Sequence, residues 1–295
     1  YSRFRKRSKT IVKFVSYNVQ YGIGLDDRFD LPRIVSSIHG ADIIALQEVT
    51  RNFNRNGHVD MVAELQVLLA THYSVFGAAC DLDAGSAIEQ GRVVNRRFQF
   101  GNMIFSRWPI LSTRTILLPR TRTLDKLNLQ RGATEAVIAS PKGPIRVYSV
   151  HLDHVHRDER ITQIRALKDR AQLYPVEGGA ISGAHEFGLA EPPVPEDYVL
   201  MGDFNMVPES PEYCEMVGGV DALYGRQIRA THPVDALAGL GKRHAASYSW
   251  VDPKNHAERL FLDYCFLSHG LVERLTDAWV DETAFGSDHM PVWFE

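Results

Sequence analysis

The chain has few cysteines and no long apolar run. Its 295 residues include only Cys80, Cys214 and Cys265, an odd number without paired spacing. We therefore expect neither a disulfide framework nor a zinc knuckle, and a reducing compartment, the cytoplasm, is favoured. No stretch approaches the roughly 18 apolar residues of a membrane span, so no transmembrane segment is expected. An apolar secretory signal segment is also absent.

The remaining composition is typical of a globular enzyme. Hydrophobic residues make up 44% of the chain and charged residues 23%, which is enough to build a large core. The sequence has no internal repeat and no low-complexity tract. We expect a basic N-terminal arm over residues 1–12, followed by one catalytic domain over residues 13–295 that acts as a monomer.

A net charge of −3 hides an uneven distribution of basic residues. Residues 1–13 carry six basic side chains and no acid, and residues 92–131 carry nine against Asp125 alone. Clustered cations attract polyanions, so DNA or RNA is a candidate partner, with Arg96 and Arg97 as candidate substrate contacts. The alternative is a solvated basic surface and a disordered arm.

Short apolar strands alternate with a few helices along the chain. The patterns predict strands over 14–19, 42–47, 99–105, 110–118, 133–139, 145–153, 198–202, 259–267 and 292–294, and helices over 31–38, 61–70 and 158–173. Residues 175–197 are rich in Gly, Pro and Glu, which is typical of a surface loop. Mixed strands and helices with strands in excess predict two packed sheets flanked by helices.

Asp263 lies in the run 259–268, which is otherwise apolar enough to form a core strand. A buried, unpaired carboxylate costs several kcal/mol, so a partner is expected. The best candidate is His289, in the loop 286–291 near the C-terminus. A buried aspartate that orients a histidine is typical of an active site.

Several other strands end in a polar side chain. Each such residue alone has an ordinary explanation, such as a turn, a solvated strand end or a hydrogen-bonded core histidine. Their joint occurrence favours a site at the strand ends instead. The residues are Asn18, Glu48, His151, Asp203, Asn205, Asp288 and His289. We expect His154 and His156 to be surface residues.

These segments together resemble the endonuclease/exonuclease/phosphatase family. The motifs are Ser16-Tyr-Asn-Val19, Leu46-Gln-Glu-Val49, Gly101-Asn-Met-Ile-Phe-Ser106, Ser149-Val-His-Leu-Asp153, Gly202-Asp-Phe-Asn205, Leu262-Asp-Tyr264 and Ser287-Asp-His289. The resemblance runs from about residue 11 to residue 294 and is specific only in combination. It implies a four-layer α/β/β/α sandwich of the DNase I type, a divalent metal, usually Mg²⁺ with Mn²⁺ as a substitute, and phosphoester hydrolysis.

The resemblance also implies roles for individual residues. Glu48 is implied as the direct metal ligand, with Asn18 and Asp288 near the ion. Carboxylate and amide oxygens suit Mg²⁺ independently of any family, because this ion prefers hard oxygen ligands.

A second implied group carries the catalysis. Asp203 and Asn205 would organise the phosphate and the attacking water, and His151 would contact the phosphate or act as an acid. Asp263 would hold His289 in one tautomer. The expected chemistry is in-line attack of water on phosphorus, and the sequence leaves open whether Asp203 or His289 accepts the proton.

Three functions stay open at the level of the sequence. A phosphodiesterase acting on nucleic acid is favoured by the basic segment 92–131. A phospholipid, sphingomyelin-type or small phosphorylated substrate is the alternative, although the sequence offers no convincing apolar hairpin for a membrane. An inactive binding protein is disfavoured because the candidate site residues are all present.

Overall fold

A computed structural model describes residues 11–295, so almost all of the predicted arm over 1–12 lies outside the described residues. The strands are β1 (Phe14–Asn18), β2 (Ile43–Arg51), β3 (Tyr73–Asp83), β4 (Ala87–Glu89), β5 (Arg92–Val94), β6 (Arg97–Ser106), β7 (Ile110–Leu117), β8 (Gly132–Ser140), β9 (Gly143–His151), β10 (Tyr198–Asp203), β11 (Val234–Asp235), β12 (Trp250–Val251), β13 (Arg259–Leu260), β14 (Asp263–Leu267), β15 (Ala278–Val280) and β16 (Val292–Phe294). The α-helices are α1 (Leu31–Ser37), α2 (Met61–Leu68), α3 (Arg157–Glu177), α4 (Pro211–Val217) and α5 (Ala236–Gly239).

Two mixed six-stranded sheets form the centre of the molecule. The first has the order β15-β16-β1-β2-β6-β3, and the second has the order β11-β14-β10-β9-β8-β7. β1 and β2 pair in parallel, as do β9 and β10, whereas their outer neighbours are antiparallel. Parallel neighbours require a crossover, and α1 and α3 lie in these two connections.

Alternating side chains divide the core into layers. In β1 and β2, Val15, Tyr17 and Ile44 pack in a cluster with residues of α1 and α2, including Leu31 and Leu65. On the same strands, Phe14, Ile43 and Ala45 belong to the second, larger cluster, which also contains residues of β9, β10, α3 and α4. Because side chains alternate across a strand, each sheet is covered on both faces. The predicted four-layer α/β/β/α sandwich is confirmed.

A polar bridge joins the two sheets near their functional end. The Gln47 side chain donates to Ser149 Oγ over 2.9 Å, and Ser149 Oγ donates to the Leu46 carbonyl over 2.9 Å. Asn102 Nδ2 donates to the carbonyls of Gly132 (2.8 Å) and Ser149 (3.0 Å). Buried hydrogen bonds of this kind fix one sheet against the other.

The element boundaries differ from the sequence-based prediction in several places. The predicted strand 259–267 is broken, because the Leu262 and Asp263 amides donate to Ser249 Oγ and β14 begins only at Asp263. The predicted loop 175–197 begins later, since α3 continues through Pro175 to Glu177. The long strand β3 and the helix α4 were not predicted. α1 begins after Asp30, whose side chain caps the helix by accepting from the Arg33 amide.

Candidate active site

Asn18 lies at the centre of a buried polar cluster between the sheets. Its Nδ2 lies 3.2 Å from Glu48 Oε1, 3.0 Å from Asp203 Oδ2 and 3.4 Å from His289 Nε2. Its Oδ1 accepts a hydrogen bond from the Gln20 amide over 3.0 Å, so the amide group faces the carboxylates with its NH₂. Residues from both sheets and from the C-terminal loop therefore meet at one side chain.

Glu48 leaves the strand ladder at a bulge. The register between β2 and β6 shifts between Leu46 and Val49, and Glu48 has the left-handed φ of +61°. A non-glycine residue in this region is strained, and bulges are a recurrent means of redirecting a side chain into a site. Burial, and then the charge of Asp288, raise the pKa of Glu48 from 4.5 to about 7. A cation in this place would stabilise its ionised form.

Asp203 is the last residue of β10, which lies between β9 and β14 in the second sheet. It pairs in register with His151 of β9 on one side and with Asp263 of β14 on the other. Its Oδ1 accepts from the Asn205 amide over 2.9 Å, and its Oδ2 lies 3.4 Å from His151 Nε2. Burial raises the pKa of Asp203 to about 6, although the neighbouring His289 opposes this change.

Asn205 follows Asp203 in a left-handed conformation with φ +49°. Its Nδ2 donates to the Leu152 carbonyl over 3.1 Å, just after β9 ends. This bond and the Asp203 bond to the Asn205 amide hold the Asp-x-Asn turn in one conformation.

Asp263 and His289 form a buried pair. Nδ1 of His289 lies 2.7 Å from Asp263 Oδ2, which also accepts from Ser249 Oγ over 2.7 Å. Burial lowers the pKa of His289, but the charges of Asp263, Asp203 and Asp288 outweigh it, and the net effect is a pKa well above the usual value. The structure places this pair in contact as the sequence indicated. Its catalytic role stays a prediction.

Asp288 sits beside His289, with Oδ1 4.0 Å from His289 Nε2. Its Oδ2 accepts from the Trp250 indole over 3.1 Å, and burial raises its pKa. Trp250 pairs with His289 in an isolated β-bridge, so the segment that contains Ser249 and Trp250 helps to hold the loop at His289 in place. Sequence reasoning missed both Ser249 and Trp250, because neither stands at the end of an apolar strand.

The profile of the Endonuclease/Exonuclease/phosphatase family matches residues 15–289, which is most of the chain. The chain belongs to this family.

Solved structures of the family have the same fold. An endonuclease/exonuclease/phosphatase from Beutenbergia cavernae DSM 12333 is 20% identical, with a TM-score of 0.61 over 96% of this chain and 70% of that chain. A mannosyl-6-phosphatase from Bacteroides thetaiotaomicron VPI-5482 is 17% identical, with a TM-score of 0.60 over 97% and 99%. D. rerio TDP2 complexed with a single-strand DNA product is 18% identical, with a TM-score of 0.57 over 96% and 97%. No curated protein sequence matches the chain.

Arg131 also belongs to the polar cluster, although the sequence analysis counted it only as one charge of the basic segment 92–131. It is 4% exposed, and its guanidinium contacts the imidazoles of His151 and His154. Burial, followed by the Arg131 charge, lowers the pKa of His151 well below its usual value. His154 and His156 are exposed, as expected, but His154 is tied to the site through Arg131. The pairing of β8 with β9 places Arg131 beside the site, since the next residue, Gly132, pairs with His151.

Within the described residues, acids from other parts of the chain pair with four of the nine basic side chains of the segment 92–131. Arg96 pairs with Glu89 over 2.5 Å and Arg97 with Asp81 over 2.8 Å, all of them well exposed. Other pairs are Arg107 with Asp42 and Arg114 with Glu135. The segment 92–131 therefore carries less unpaired positive charge than its nine basic residues and one acid suggest, because acidic partners approach from outside the segment. The role of Arg96 and Arg97 in substrate binding stays a prediction.

The structure also has a hairpin that the sequence did not reveal. β4 and β5 pair antiparallel, and Ile88 faces Val93 in that pairing. Both side chains are exposed, at 76% and 78%. In residues 11–295, no helix has the length and apolarity needed to cross a bilayer.

The donor set suits a hard divalent cation. Glu48, Asp203 and Asp288 bring three carboxylates together. Among the described residues, the basic groups beside these carboxylates are His151, His289 and Arg131. Asp203, Asp263 and His289 also lie close enough together to be ligands of one ion. Asp263 Oδ2 is already engaged by His289 and Ser249, however, so this trio fits a hydrogen-bonded chain better than a metal centre. Glu48 and Asp288 fit a cation that prefers oxygen.

Proposed function

We propose that this chain is a divalent-metal-dependent hydrolase of phosphoester bonds, phosphodiesters foremost. The observation that supports the proposal most strongly is the contact of Asn18 with Glu48, Asp203 and His289, each within 3.4 Å. Family membership makes hydrolysis of phosphoesters the natural reaction for such a cluster. The surplus of carboxylates calls for a cation, and a phosphate substrate then completes the charge balance.

Glu48 and Asp288 would hold Mg²⁺ or Mn²⁺, with Asn18 hydrogen-bonded to the Glu48 carboxylate. When bound, such an ion polarises the phosphoryl oxygen and stabilises the charge that develops on the leaving group. The bulge at Glu48 supports this assignment, because strain is retained where a side chain has to reach a site.

The protein side chains position the attacking water and the phosphate. Asp203 Oδ2 and His289 Nε2 lie 3.7 Å apart. Either could accept the proton of a water that contacts both, His289 only in its neutral form, which a bound cation would favour by compensating the carboxylates that raise the pKa of His289. Asp263 holds the imidazole of His289 by its Nδ1 and thereby aims Nε2 at this space. Asn205 and His151 flank Asp203 and would contact the equatorial phosphate oxygens.

Nucleic acid is the favoured substrate. The sequence pattern of cations and aromatics around Arg97 suits a single strand, and one structural relative is described with a single-strand DNA product. A small phosphorylated molecule is the second candidate. It is favoured by the internal pairing of Arg96 and Arg97, and by the similarity to a mannosyl-6-phosphatase over 99% of that chain.

A substrate screen tests the proposal. Purified protein is assayed on bis-p-nitrophenyl phosphate with Mg²⁺, Mn²⁺ or EDTA, together with Glu48→Gln, Asp203→Asn and a surface control, Glu64→Gln. We expect metal-dependent turnover that only the two site variants lose. Parallel assays on plasmid DNA, RNA, sphingomyelin, inositol phosphates and mannose 6-phosphate then identify the substrate class. Absence of turnover on the whole panel with both metals would refute the proposal.

A further inference from the structure

Arg131 is a buried arginine without an acidic partner. It immediately precedes β8 and is 4% exposed. Its NH1 lies 2.8 Å from His151 Nε2 and 3.1 Å from His151 Nδ1, and its NH2 lies 2.8 Å from His154 Nδ1. Within residues 11–295, Arg131 forms no ion pair with a carboxylate. The hydrogen bonds that it does form go to imidazole nitrogens, which accept only when the ring is neutral.

These contacts leave most of its donors unused. A guanidinium has a planar fork of N–H groups, and a neutral imidazole offers a single acceptor nitrogen. The two imidazoles can therefore accept from only a minority of the N–H groups of Arg131. The Nε atom of Arg131 is buried without any partner. A buried charge whose donors are unsatisfied is costly, which indicates that an acceptor is missing.

A second buried arginine shows what a purely structural role looks like in this fold. Arg146 donates to the carbonyls of Ala171 (2.8 Å) and Glu196 (2.7 Å) and to the Tyr148 hydroxyl (3.1 Å). Its guanidinium also stacks on the ring of Tyr174. The Nε of Arg146 is also buried without a partner, so the difference lies in the two NH₂ groups. Those of Arg146 find oxygen acceptors and its guanidinium has aromatic cover, and Arg131 has neither.

The acids whose charges act on Arg131 are all hydrogen-bonded elsewhere. Glu48 and Asp203 accept from the Asn18 side chain. Asp153 accepts from the amides of Val155 and His156, and Glu159 accepts from the Thr121 amide. The missing acceptor is therefore one that enters from outside. Such an acceptor would lie on the side of the candidate active site, because the ring of His151 that Arg131 contacts lies 3.4 Å from Asp203 Oδ2.

We propose that Arg131 donates hydrogen bonds to a non-bridging oxygen of the substrate's phosphate and is thus a substrate-binding residue of the cleft. The inference rests on the proposed function only in that the cleft accepts a phosphate. The planar fork matches the geometry of phosphate oxygens, and the low exposure of the site strengthens a charge-assisted bond. His151, held between Arg131 and Asp203, then contacts the same phosphate.

Binding of inorganic phosphate tests the proposal without any turnover. Calorimetric titration of the full chain, with Mn²⁺ and with EDTA, compares wild type with Arg131→Met and Arg131→Lys. We expect affinity to fall about 10- to 100-fold in Arg131→Met and less in Arg131→Lys, which keeps the charge but loses the fork. Arg107→Met removes one charge at the opposite end of β6, where Arg107 pairs with Asp42, and should leave the affinity unchanged.

A measurement on the wild-type chain covers the case in which Arg131→Met fails to fold. The NMR resonance of the Arg131 Nε–H should shift on addition of phosphate and saturate with the calorimetric dissociation constant. Phosphate affinity that is unaltered in Arg131→Met, a resonance that stays fixed at saturation, or a wild-type chain that binds no phosphate would each overturn the proposal. Phosphate binding that depends on Arg131 without hydrolysis of any phosphoester would refute the proposed function alone. Turnover combined with unaltered phosphate affinity in the variant would refute this inference alone.

Discussion

Replacing Glu48 by Gln should make the metal-free protein more stable while it removes the activity. The Glu48 carboxylate lies near Asp288, and its pKa is raised to about 7, first by burial and then by the Asp288 charge, which together outweigh the opposing charges of His289 and Arg131. Gln has nearly the same size and can keep the bond to Asn18, but carries no charge. The wild-type residue is thus a site where function opposes stability.

The magnitude follows from the difference between the folded and unfolded pKa. A carboxyl whose folded pKa is raised binds its proton more tightly in the folded state, so stability falls as pH rises from 4.5 towards 7 and stays low above. If Glu48 were fully buried, its raised pKa would lower the free energy of unfolding at pH 8 by about 3 kcal/mol. The 18% exposure of the side chain reduces this expected loss to about 1–3 kcal/mol. For a domain of this size the melting temperature should rise by roughly 2–10 °C at pH 8.

Thermal and urea unfolding in EDTA at pH 5 and pH 8 measure this effect. The gain in Glu48→Gln should be clear at pH 8 and small at pH 5, and added Mg²⁺ or Mn²⁺ should stabilise only the wild type. Glu212→Gln is the matched control, because Glu212 is 3% exposed and bound by Arg160 over 2.7 Å. That variant should lose stability. A Glu48→Gln protein no more stable than wild type in EDTA at pH 8 would contradict the electrostatic account of the site.

Three further predictions concern the residues around the cleft. Asp263→Asn should lower turnover about 100-fold or more, a larger loss than the accompanying fall in melting temperature explains. The buried Asp235→Asn should lose stability and keep its specific activity, and wild-type turnover in Asp263→Asn refutes the pairing argument. Ser249→Ala should lower kcat with little change in KM, and a change in KM alone would count against its role in positioning. Charge reversal at Arg96 and Arg97 should weaken oligonucleotide binding modestly and reduce its salt dependence, and an unaltered salt slope shows that neither contacts phosphate.

The strands and the polar residues at their ends could be predicted from the sequence because both follow from local rules. Apolar runs with period two identify the central strands, and a polar residue after such a run marks the edge of a sheet. The pairing of Asp263 with His289 was predictable from the cost of a buried charge alone. The contact is observed at 2.7 Å, although the two residues are 26 positions apart.

Other features depend on long-range packing, and local patterns do not reveal them. β3 was missed because its outer half is exposed and its centre contains Gly77 and two alanines, so neither hydrophobicity nor alternation is strong. The acidic partners of the basic segment were not foreseen, because Asp81 and Glu89 reach it only after β3 has paired with β6 and β4 with β5. Arg131 was overlooked for the same reason: a count of charges treats every arginine as solvated.

The bulge at Glu48 depends both on local strand pairing and on long-range packing. Gln47 is fixed by its bond to Ser149 in the opposite sheet, and Val49 is fully buried and pairs with Gly101. A Cβ at Gly101 would lie 2.0 Å from the Gly77 carbonyl, so the three strands approach as closely as a glycine permits. Both neighbours of Glu48 are thus held, and the extra residue between them is forced into the left-handed conformation. The strain at the proposed metal ligand is therefore maintained by strand pairing within the first sheet and by the bond of Gln47 to the second sheet, which is why the site requires both sheets and not β2 alone.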